Sequence, residues 1–476
     1  MCYNISDDKR AKERRKMKYY LAIDIGASSG RHILAYLDGE KMVTEEIYRF
    51  ENGAKVVKKD GKRSLFWDVE RLFEEIKNGL KKAKELGKIP SVVGVDTWGV
   101  DYMLLDGEDK PVRDVYAYRD DRTQKTVPQT HAVLPFETLY GRTGIQFNWF
   151  NTVYQLYDDL QTGAMEKAES FLMLPDYFHF RLTGVKKQEY TNATTTGMVN
   201  TKTHEWDGEI LRALGYKKEL FGKLSQPGET VGTFSKEIEK ELGFTAKVVL
   251  PATHDTASAV LAAPLKGRTP YISSGTWSLL GVEQPFAHTE DAARKSEYSN
   301  EGSLDFSFRL QKNIMGLWMI QQVRHETGDR YGFAELAAMA EENPVDVELD
   351  VNDQRFLSPE NMTAEIEKAA GRELTIGQTA FAIFDNLAKS YAESLNALEA
   401  LTGERYETLN IIGGGSKNGF LNALTKKYTG KTIVTGPTEG TALGNLLAQM
   451  LGEKEIPDLL TGRKIIEKSF DVKEVE

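Results

Sequence analysis

Five short segments of the chain bring together residue types suited to phosphate and hydroxyl chemistry. In the first, Asp24 ends an apolar run and is followed by Gly26, Ala27, Ser28, Ser29, Gly30 and Arg31. A carboxylate at a strand end can hold Mg²⁺ directly or through water. Gly26 and Gly30 permit positive φ and close approach to a phosphate. Ser28 and Ser29 add hydroxyl donors, and Arg31 adds a cation. The same residues also suit an ordinary hairpin with a polar turn. The Gly-Lys-Ser/Thr ending of a P-loop is missing. In the second segment an apolar strand over 92–96 delivers Asp96, Thr97, Trp98, Gly99, Val100 and Asp101 to its end, where α/β folds place ligands. An indole offers an apolar face to sugar C–H groups, and the Gly99 N–H can reach a hydroxyl. A buried Trp packing a turn fits equally well.

The third segment, Thr253, His254, Asp255 and Thr256, lies between an apolar stretch at 248–252 and a run of small residues. Asp255 is expected at a helix N-terminus beside a histidine. A carboxylate there can take a proton from an attacking hydroxyl. By spacing alone, a plain N-cap fits better. The fourth segment, Ser273, Ser274, Gly275, Thr276 and Trp277, reads as a second tight turn. The fifth follows a buried strand: Gly413, Gly414 and Gly415, then Ser416, Lys417 and Asn418. Three glycines exceed the needs of strand–helix packing and make a flat floor for adenine or ribose. Taken in order, these segments describe a phosphotransferase cleft. No His/Cys/Asp cluster has zinc spacing, and no Gly-x-Ser-x-Gly elbow occurs.

The elements that must position these segments occur twice in one order. In the first half, strands are expected at 19–23, 31–36 and about 43–50, with a hairpin signal at Asp38 and Gly39. Asp68 then caps a helix whose Val69, Leu72, Phe73, Ile76 and Leu80 keep the helical period, and the 92–96 strand follows. In the second half, strands are expected at 271–273, 277–282 and 303–310. A long helix over about 378–401 stops at Gly403. A strand at 408–412, the triple glycine, a helix, a strand at 432–435 and a helix near 442–451 complete the half. Three strands, a helix and a strand, repeated, predict an α/β protein. It has two ribonuclease H-like domains of the actin, hexokinase and Hsp70 type, with ATP in the interdomain cleft. Tight turns there point consecutive N–H groups at one spot and form anion nests.

Bulk properties agree. The 476 residues exceed one hydrophobic core and suit two domains. A net charge of −10 argues against nucleic acid as a partner. The single cysteine, Cys2, excludes an intramolecular disulfide and suits a reducing cytoplasm. No run of about 18 apolar residues predicts a membrane span. Residues 1–18 are basic and polar, lack the apolar stretch of a secretory signal, and are expected to be disordered.

From about residue 19 to 449 the chain resembles the FGGY family of carbohydrate kinases. The resemblance rests on residues 24–31, 96–101, 118–123, 143–147, 174–178, 189–196, 254–260, 273–279, 313–318 and 413–418. The glycine motifs are shared across that family; 96–101, 190–196 and 313–318 resemble one ketose-specific branch. The resemblance implies that Asp255 is the catalytic base and that Ala27, Ser28, Ser29, Gly30 and Arg31 contact ATP. It implies that Gly99, His254, Asp255, Thr256 and Asn313 contact the sugar. Thr276, Gln321 and Gly414 fall at nucleotide positions, and Asp24 holds Mg²⁺ through water. The expected reaction is ATP- and Mg²⁺-dependent phosphorylation of a ketose on its C1 hydroxyl. The partners are the sugar and ATP alone, and the chain is a monomer or small homo-oligomer. The expected divisions are 1–18, an N-terminal domain at 19–250, a C-terminal domain at 251–462, and a tail at 463–476. The rivals are a kinase for another ketose or polyol, a non-catalytic sugar- or ATP-binding regulator of the same fold, and an Hsp70- or actin-like ATPase.

Overall fold

The computed structural model describes residues 17–59 and 62–476; the expected disordered extension therefore lies, except for its last two residues, outside the described residues. Lys18 pairs with Glu453 at 3.0 Å.

Alternating and continuous apolar runs build two large sheets, accompanied by three two-stranded ones. The first has the order Thr230–Thr233, Lys247–Val249, Pro90–Thr97, Tyr19–Ile25, Ser29–Asp38, Lys41–Glu51. Tyr19–Ile25 is parallel to Pro90–Thr97, with Asp24 opposite Asp96, and antiparallel to Ser29–Asp38. The second has the order Ser299–Gly302, Phe308–Met315, Trp277–Gln284, Tyr271–Ser274, Thr408–Ile412, Thr432–Thr435, Lys473–Glu474. Each sheet thus carries a hairpin at its centre, with a parallel strand beside it. Helix Val69–Glu85 is capped by Asp68 and buries Val69, Leu72, Phe73, Ile76 and Leu80, as its period requires. Helix Ile376–Thr402 starts from a Thr375/Gln378 capping box and ends at Gly403 in the left-handed region.

The third strand of the second half departs from expectation. In place of one strand at 303–310, two strands flank a tight turn: Ser299–Gly302 and Phe308–Met315. Asp305 and Phe306 both take positive φ, so no continuous strand can pass through them. Two further regions had no elements assigned from the sequence. Residues between Pro90–Thr97 and Thr230–Thr233 form a largely helical lobe with a core of Tyr102, Leu104, Tyr154, Leu156 and Phe171. Helices Trp318–Glu326, Phe333–Glu342 and Met362–Ala370 form a second insertion.

The end of the chain returns to the first sheet. Helix Gly440–Gly452 lays Leu443, Leu446 and Leu447 among Tyr20, Ala22 and Ile33. Its Asn445 and Gln449 donate to the carbonyls of Gly94 and Leu21 at 3.1 and 2.9 Å. It also crosses helix Asp255–Ala262 so closely that a Cβ at Gly444 would overlap the Ser258 carbonyl. The segment 463–476, expected as a tail, is ordered structure: most of helix Leu459–Ser469 and the edge strand Lys473–Glu474. Arg463 donates to the Val260 and Leu261 carbonyls at 3.1 and 3.2 Å and pairs with Glu283 at 2.8 Å. It supplies a donor to the Leu261 carbonyl at the C-terminus of helix Asp255–Ala262 and adds a second to the Val260 carbonyl, which also accepts from the Ala263 N–H at 3.1 Å. No described helix is long and apolar enough to cross a membrane.

Candidate active site

Asp255 opens helix Asp255–Ala262 directly after an isolated bridge between Thr97 and His254. The Thr97 N–H donates to the Thr253 carbonyl at 3.0 Å, so the second and third motifs lie side by side. Glu189 locks this junction from beneath. It accepts from the Thr253 N–H and hydroxyl at 3.2 and 2.7 Å, and from Thr191 and Asn192. The Asp255 carboxylate is asymmetric. Its Oδ1 accepts from the Thr256 N–H at 2.6 Å and the Thr256 hydroxyl at 3.2 Å, and faces His254 Nε2 at 3.4 Å. Oδ2 has no protein partner among the described residues, and the side chain keeps 30 % of its exposure. Burial pushes this carboxyl above its ordinary value; His254 opposes the push and Asp24 adds to it.

Asp24 and Asp96 stand opposite each other on adjacent strands. Asp96 is fully buried, accepts from Asn445, and has no partner for Oδ1 among the described residues. Burial, together with the charges of Asp24 and Asp255, drives its carboxyl well above the usual range. Asp24 is held by Arg31 at 2.8 Å, and Arg31 is also paired with Glu439. Arg31 therefore bridges the first turn to the loop before helix Gly440–Gly452. The turn closes through Gly26 N–H to the Ser29 carbonyl at 2.9 Å, and Ser28 and Ser29 remain accessible. Neither Gly26 nor Gly30 has a positive φ. Gly30 is needed because a Cβ there would overlap the Phe50 ring, a packing reason and not a conformational one.

The 96–101 loop is consumed by the fold. Trp98 is 6 % exposed and packs on Trp67 with ring centroids 4.2 Å apart, so its indole offers no open face to a sugar. Asp101 accepts from the Trp67 and Trp98 indoles at 2.6 and 2.9 Å, the Tyr118 N–H at 3.0 Å and Gln155 at 3.2 Å. Burial nonetheless raises its carboxyl to about 6. Gly99 abuts Thr195, whose hydroxyl accepts from the Val100 N–H at 3.1 Å. Val100 is held at a φ of 67°, uncommon for a β-branched residue.

On the other side, the second turn closes through Gly275 N–H to the Trp277 carbonyl at 2.9 Å. The 313–318 segment presses on it. Leu317 and Trp318 donate to the Gly275 and Thr276 carbonyls at 2.9 and 3.1 Å, and a Cβ at Gly316 would lie 2.7 Å from the Gly275 carbonyl oxygen. Helix Trp318–Glu326, which carries Gln321, starts there. The three glycines divide their roles. Gly413 sits at φ 81° against the Ser274 carbonyl, and a Cβ at Gly415 would overlap the Ser274 side chain. Only Gly414 faces open space.

The structure thus brings the 96–101 loop, with Gly99, beside His254, Asp255 and Thr256; separately, the second turn with Thr276 meets the start of the helix that carries Gln321, and Gly413 and Gly415 set Gly414 beside Ser274. Asn313 lies exposed on strand Phe308–Met315, opposite Leu279 and on the same face as Gln311 and Arg309. Sequence reasoning missed Glu301 and Arg309 beside His254, Glu439 on Arg31, Asn445 on Asp96, and Arg463. Among the described residues, no three His, Cys, Asp or Glu side chains converge on a metal position. Asp24 and Asp96 are nevertheless hard oxygen donors of the kind Mg²⁺ takes when it keeps most of its waters and binds phosphate.

Two α/β domains of this type, with a glycine turn from each and an open carboxylate at their junction, define a sugar kinase. Residues 19–262 match the N-terminal domain of the FGGY family of carbohydrate kinases, and residues 270–453 match its C-terminal domain. The chain belongs to the FGGY family. A protein named rhamnulokinase from Halalkalibacterium halodurans is 46 % identical over 96 % of this chain and 98 % of its own length. The Bacillus subtilis rhamnulokinase is 41 % identical over 95 % and 94 %. Among solved structures, a ligand-bound xylulose kinase from Lactobacillus acidophilus superposes with a TM-score of 0.78 at 18 % identity, covering 96 % of this chain and 93 % of that one. The Plasmodium falciparum glycerol kinase with ADP gives 0.75 at 15 %, covering 97 % and 94 %. At those identities the structures speak to the fold alone.

Proposed function

We propose that the chain transfers the γ-phosphoryl group of ATP to the C1 hydroxyl of L-rhamnulose, giving L-rhamnulose 1-phosphate and ADP in L-rhamnose breakdown. The observation that carries the chemistry is the asymmetric Asp255 carboxylate, with donors on Oδ1 and none on Oδ2. Oδ2 is the atom that takes the hydroxyl proton. The C1 oxygen then bonds to the γ-phosphorus as the bond to the bridging oxygen breaks in line, and ADP leaves with that electron pair. A carboxylate made more basic by burial is a better acceptor near neutral pH than an exposed one. Gly99, His254, Thr256 and Asn313 orient the sugar. Ala27, Ser28, Ser29, Gly30 and Arg31 contact ATP from one side, and Thr276, Gln321 and Gly414 from the other. When bound, Mg²⁺ supplies positive charge to the phosphate oxygens, and Asp24, through water, would hold it. The expected division at 251–462 cuts across the core of the first sheet, where helix Gly440–Gly452 packs; closure of the half built on the second sheet over the half built on the first excludes water, which would otherwise compete for the phosphoryl group. A single cysteine and the use of ATP suit the cytoplasm.

The choice of ketose is supported by full-length relatives named rhamnulokinase. It is tested by ADP release with L-rhamnulose, L-fuculose, D-xylulose and glycerol side by side. The expected result is the highest kcat/KM for L-rhamnulose. A higher value for L-fuculose or glycerol overturns the ketose assignment and leaves the kinase standing. ADP release that ignores sugar overturns both.

A further inference from the structure

His254 sits between two carboxylates. Its Nε2 faces Asp255 Oδ1 at 3.4 Å and its Nδ1 faces Glu301 Oε2 at 3.1 Å. Glu301 Oε2 also accepts from Arg309 Nη2 at 2.9 Å. Arg309 is fully buried, and its other nitrogens donate to the Gly302 carbonyl at 3.2 Å and to Gln311 at 3.3 Å. A buried guanidinium is costly to desolvate and persists only when its donors are met. Burial raises the Glu301 carboxyl, but Arg309 and His254 more than offset this and hold it at about 2.

The shorter contact, at Nδ1, and the neighbouring arginine favour a proton on His254 Nδ1. Arg309 Nη2 lies 3.3 Å from His254 Nδ1. Arginine has no acceptor. Arg309 could therefore donate to a bare Nδ1, or both groups could donate to the shared Oε2. A bare Nδ1 would turn its lone pair toward the carboxylate at 3.1 Å, a repulsive contact. Sharing Oε2 satisfies both donors.

Glu301 is itself fastened from the first half of the chain. From strand Ser299–Gly302, the Gly302 N–H donates to the Thr194 hydroxyl at 2.8 Å and the Asn300 N–H to the Gly144 carbonyl at 2.8 Å, while the Ser299 hydroxyl accepts from the Gln146 N–H at 2.9 Å. The 143–147 and 190–196 segments thereby gain a role that their sequence did not reveal. They dock the strand that carries Glu301.

We propose that Glu301 and Arg309 are positioning residues for sugar phosphorylation: Arg309 holds Glu301, Glu301 holds His254 through its Nδ1–H, and Nε2 is thereby presented to Asp255 and the sugar. This rests on the kinase reading above. The same pair explains why a histidine can stand beside the base without turning away from it.

Two measurements on the full chain test it. The first is the ¹⁵N spectrum of the imidazoles, with His254 assigned from the signal lost in His254→Gln. Nδ1 is expected to be protonated in the wild type and to lose that preference in Glu301→Gln. An unprotonated Nδ1 in the wild type overturns the proposal, and this result needs neither a known sugar nor a folded Glu301 variant. The second is kinetics with L-rhamnulose and Mg-ATP. Glu301→Gln is expected to raise the sugar KM by roughly tenfold to a hundredfold, the scale of a hydrogen bond to a charged group. The KM for ATP should stay unchanged. The effect should vanish in the His254→Gln background, because Glu301 acts through His254. A variant that only melts at lower temperature, with both KM values intact, shows a structural pair and overturns the proposal. If the wild type phosphorylates none of the sugars, the proposed function fails, and the spectrum still decides the arrangement at His254.

Discussion

The loops at 96–101 and 253–256 look alike in sequence: each ends an apolar strand and presents a carboxylate among small and aromatic residues. The structure separates them by what remains unbonded. In the first loop, Asp101 receives two indoles, an amide side chain and a backbone N–H, and has no exposed oxygen left. In the second, Asp255 spends Oδ1 on Thr256 and leaves Oδ2 without a protein partner among the described residues. A buried carboxylate with both oxygens bonded is an anchor, whereas one with a spare oxygen in a half-open site can take a proton. The triple glycine repeats the contrast within three residues. Gly413 and Gly415 are spent on Ser274, and Gly414 is open.

The largest expected effect separates the two carboxylates by chemistry. Asp255→Asn should lower kcat by about 10²–10⁴-fold, the usual contribution of a general base, while sugar binding largely survives. Near-normal turnover in a folded Asp255→Asn protein would erase the contrast. The second prediction uses the glycines. Gly414→Val should raise the KM for ATP far more than that for the sugar, with circular dichroism unchanged. Gly415→Ala should instead cost about 1–3 kcal/mol of stability through overpacking against Ser274. Equal behaviour of the two variants in both assays would remove the distinction.

The smallest effect is a pH dependence at Asp101. Its folded carboxyl is raised from 3.8 to about 6 by burial. A raised carboxyl contributes stability that is full below the unfolded value and is lost as pH climbs through the folded one. Across the window from 3.8 to about 6, wild-type stability should therefore fall relative to Asp101→Asn, which cannot titrate. Denaturant midpoints of both proteins at several pH values measure this. A difference that stays flat across that window would mean Asp101 is not held as described.

Much of the site could be read from local signals. Asp255 follows a β-to-α boundary marked by an apolar run and small residues, and both turns carry glycine at their tips. Arg31 and Asp24 lie on facing positions of one hairpin, so their pairing needed only the hairpin's register. Trp98 illustrates the limit. Its type suits a sugar platform, yet Trp67 covers it and Asp101 takes its N–H. The 303–310 strand was misplaced because alternating apolar residues there continue through a turn that Asp305 and Phe306 make with positive φ. The lobe between the strands Pro90–Thr97 and Thr230–Thr233 could not be read, because its short helices and strands carry mixed periods and pack mainly on one another.

Local sequence pattern suffices for the repeated strand and helix order, the two glycine turns and the helix-opening position of Asp255. Each depends on backbone preferences and hydrophobic period within a few residues. Three-dimensional packing alone settles which carboxylate is left open, which glycine faces open space, and that Glu301, Arg309, Glu439, Asn445 and Arg463 belong to the site's surroundings. Those outcomes depend on burial and on hydrogen-bond partners brought from distant parts of the chain, and no local pattern encodes which donor reaches a given oxygen first.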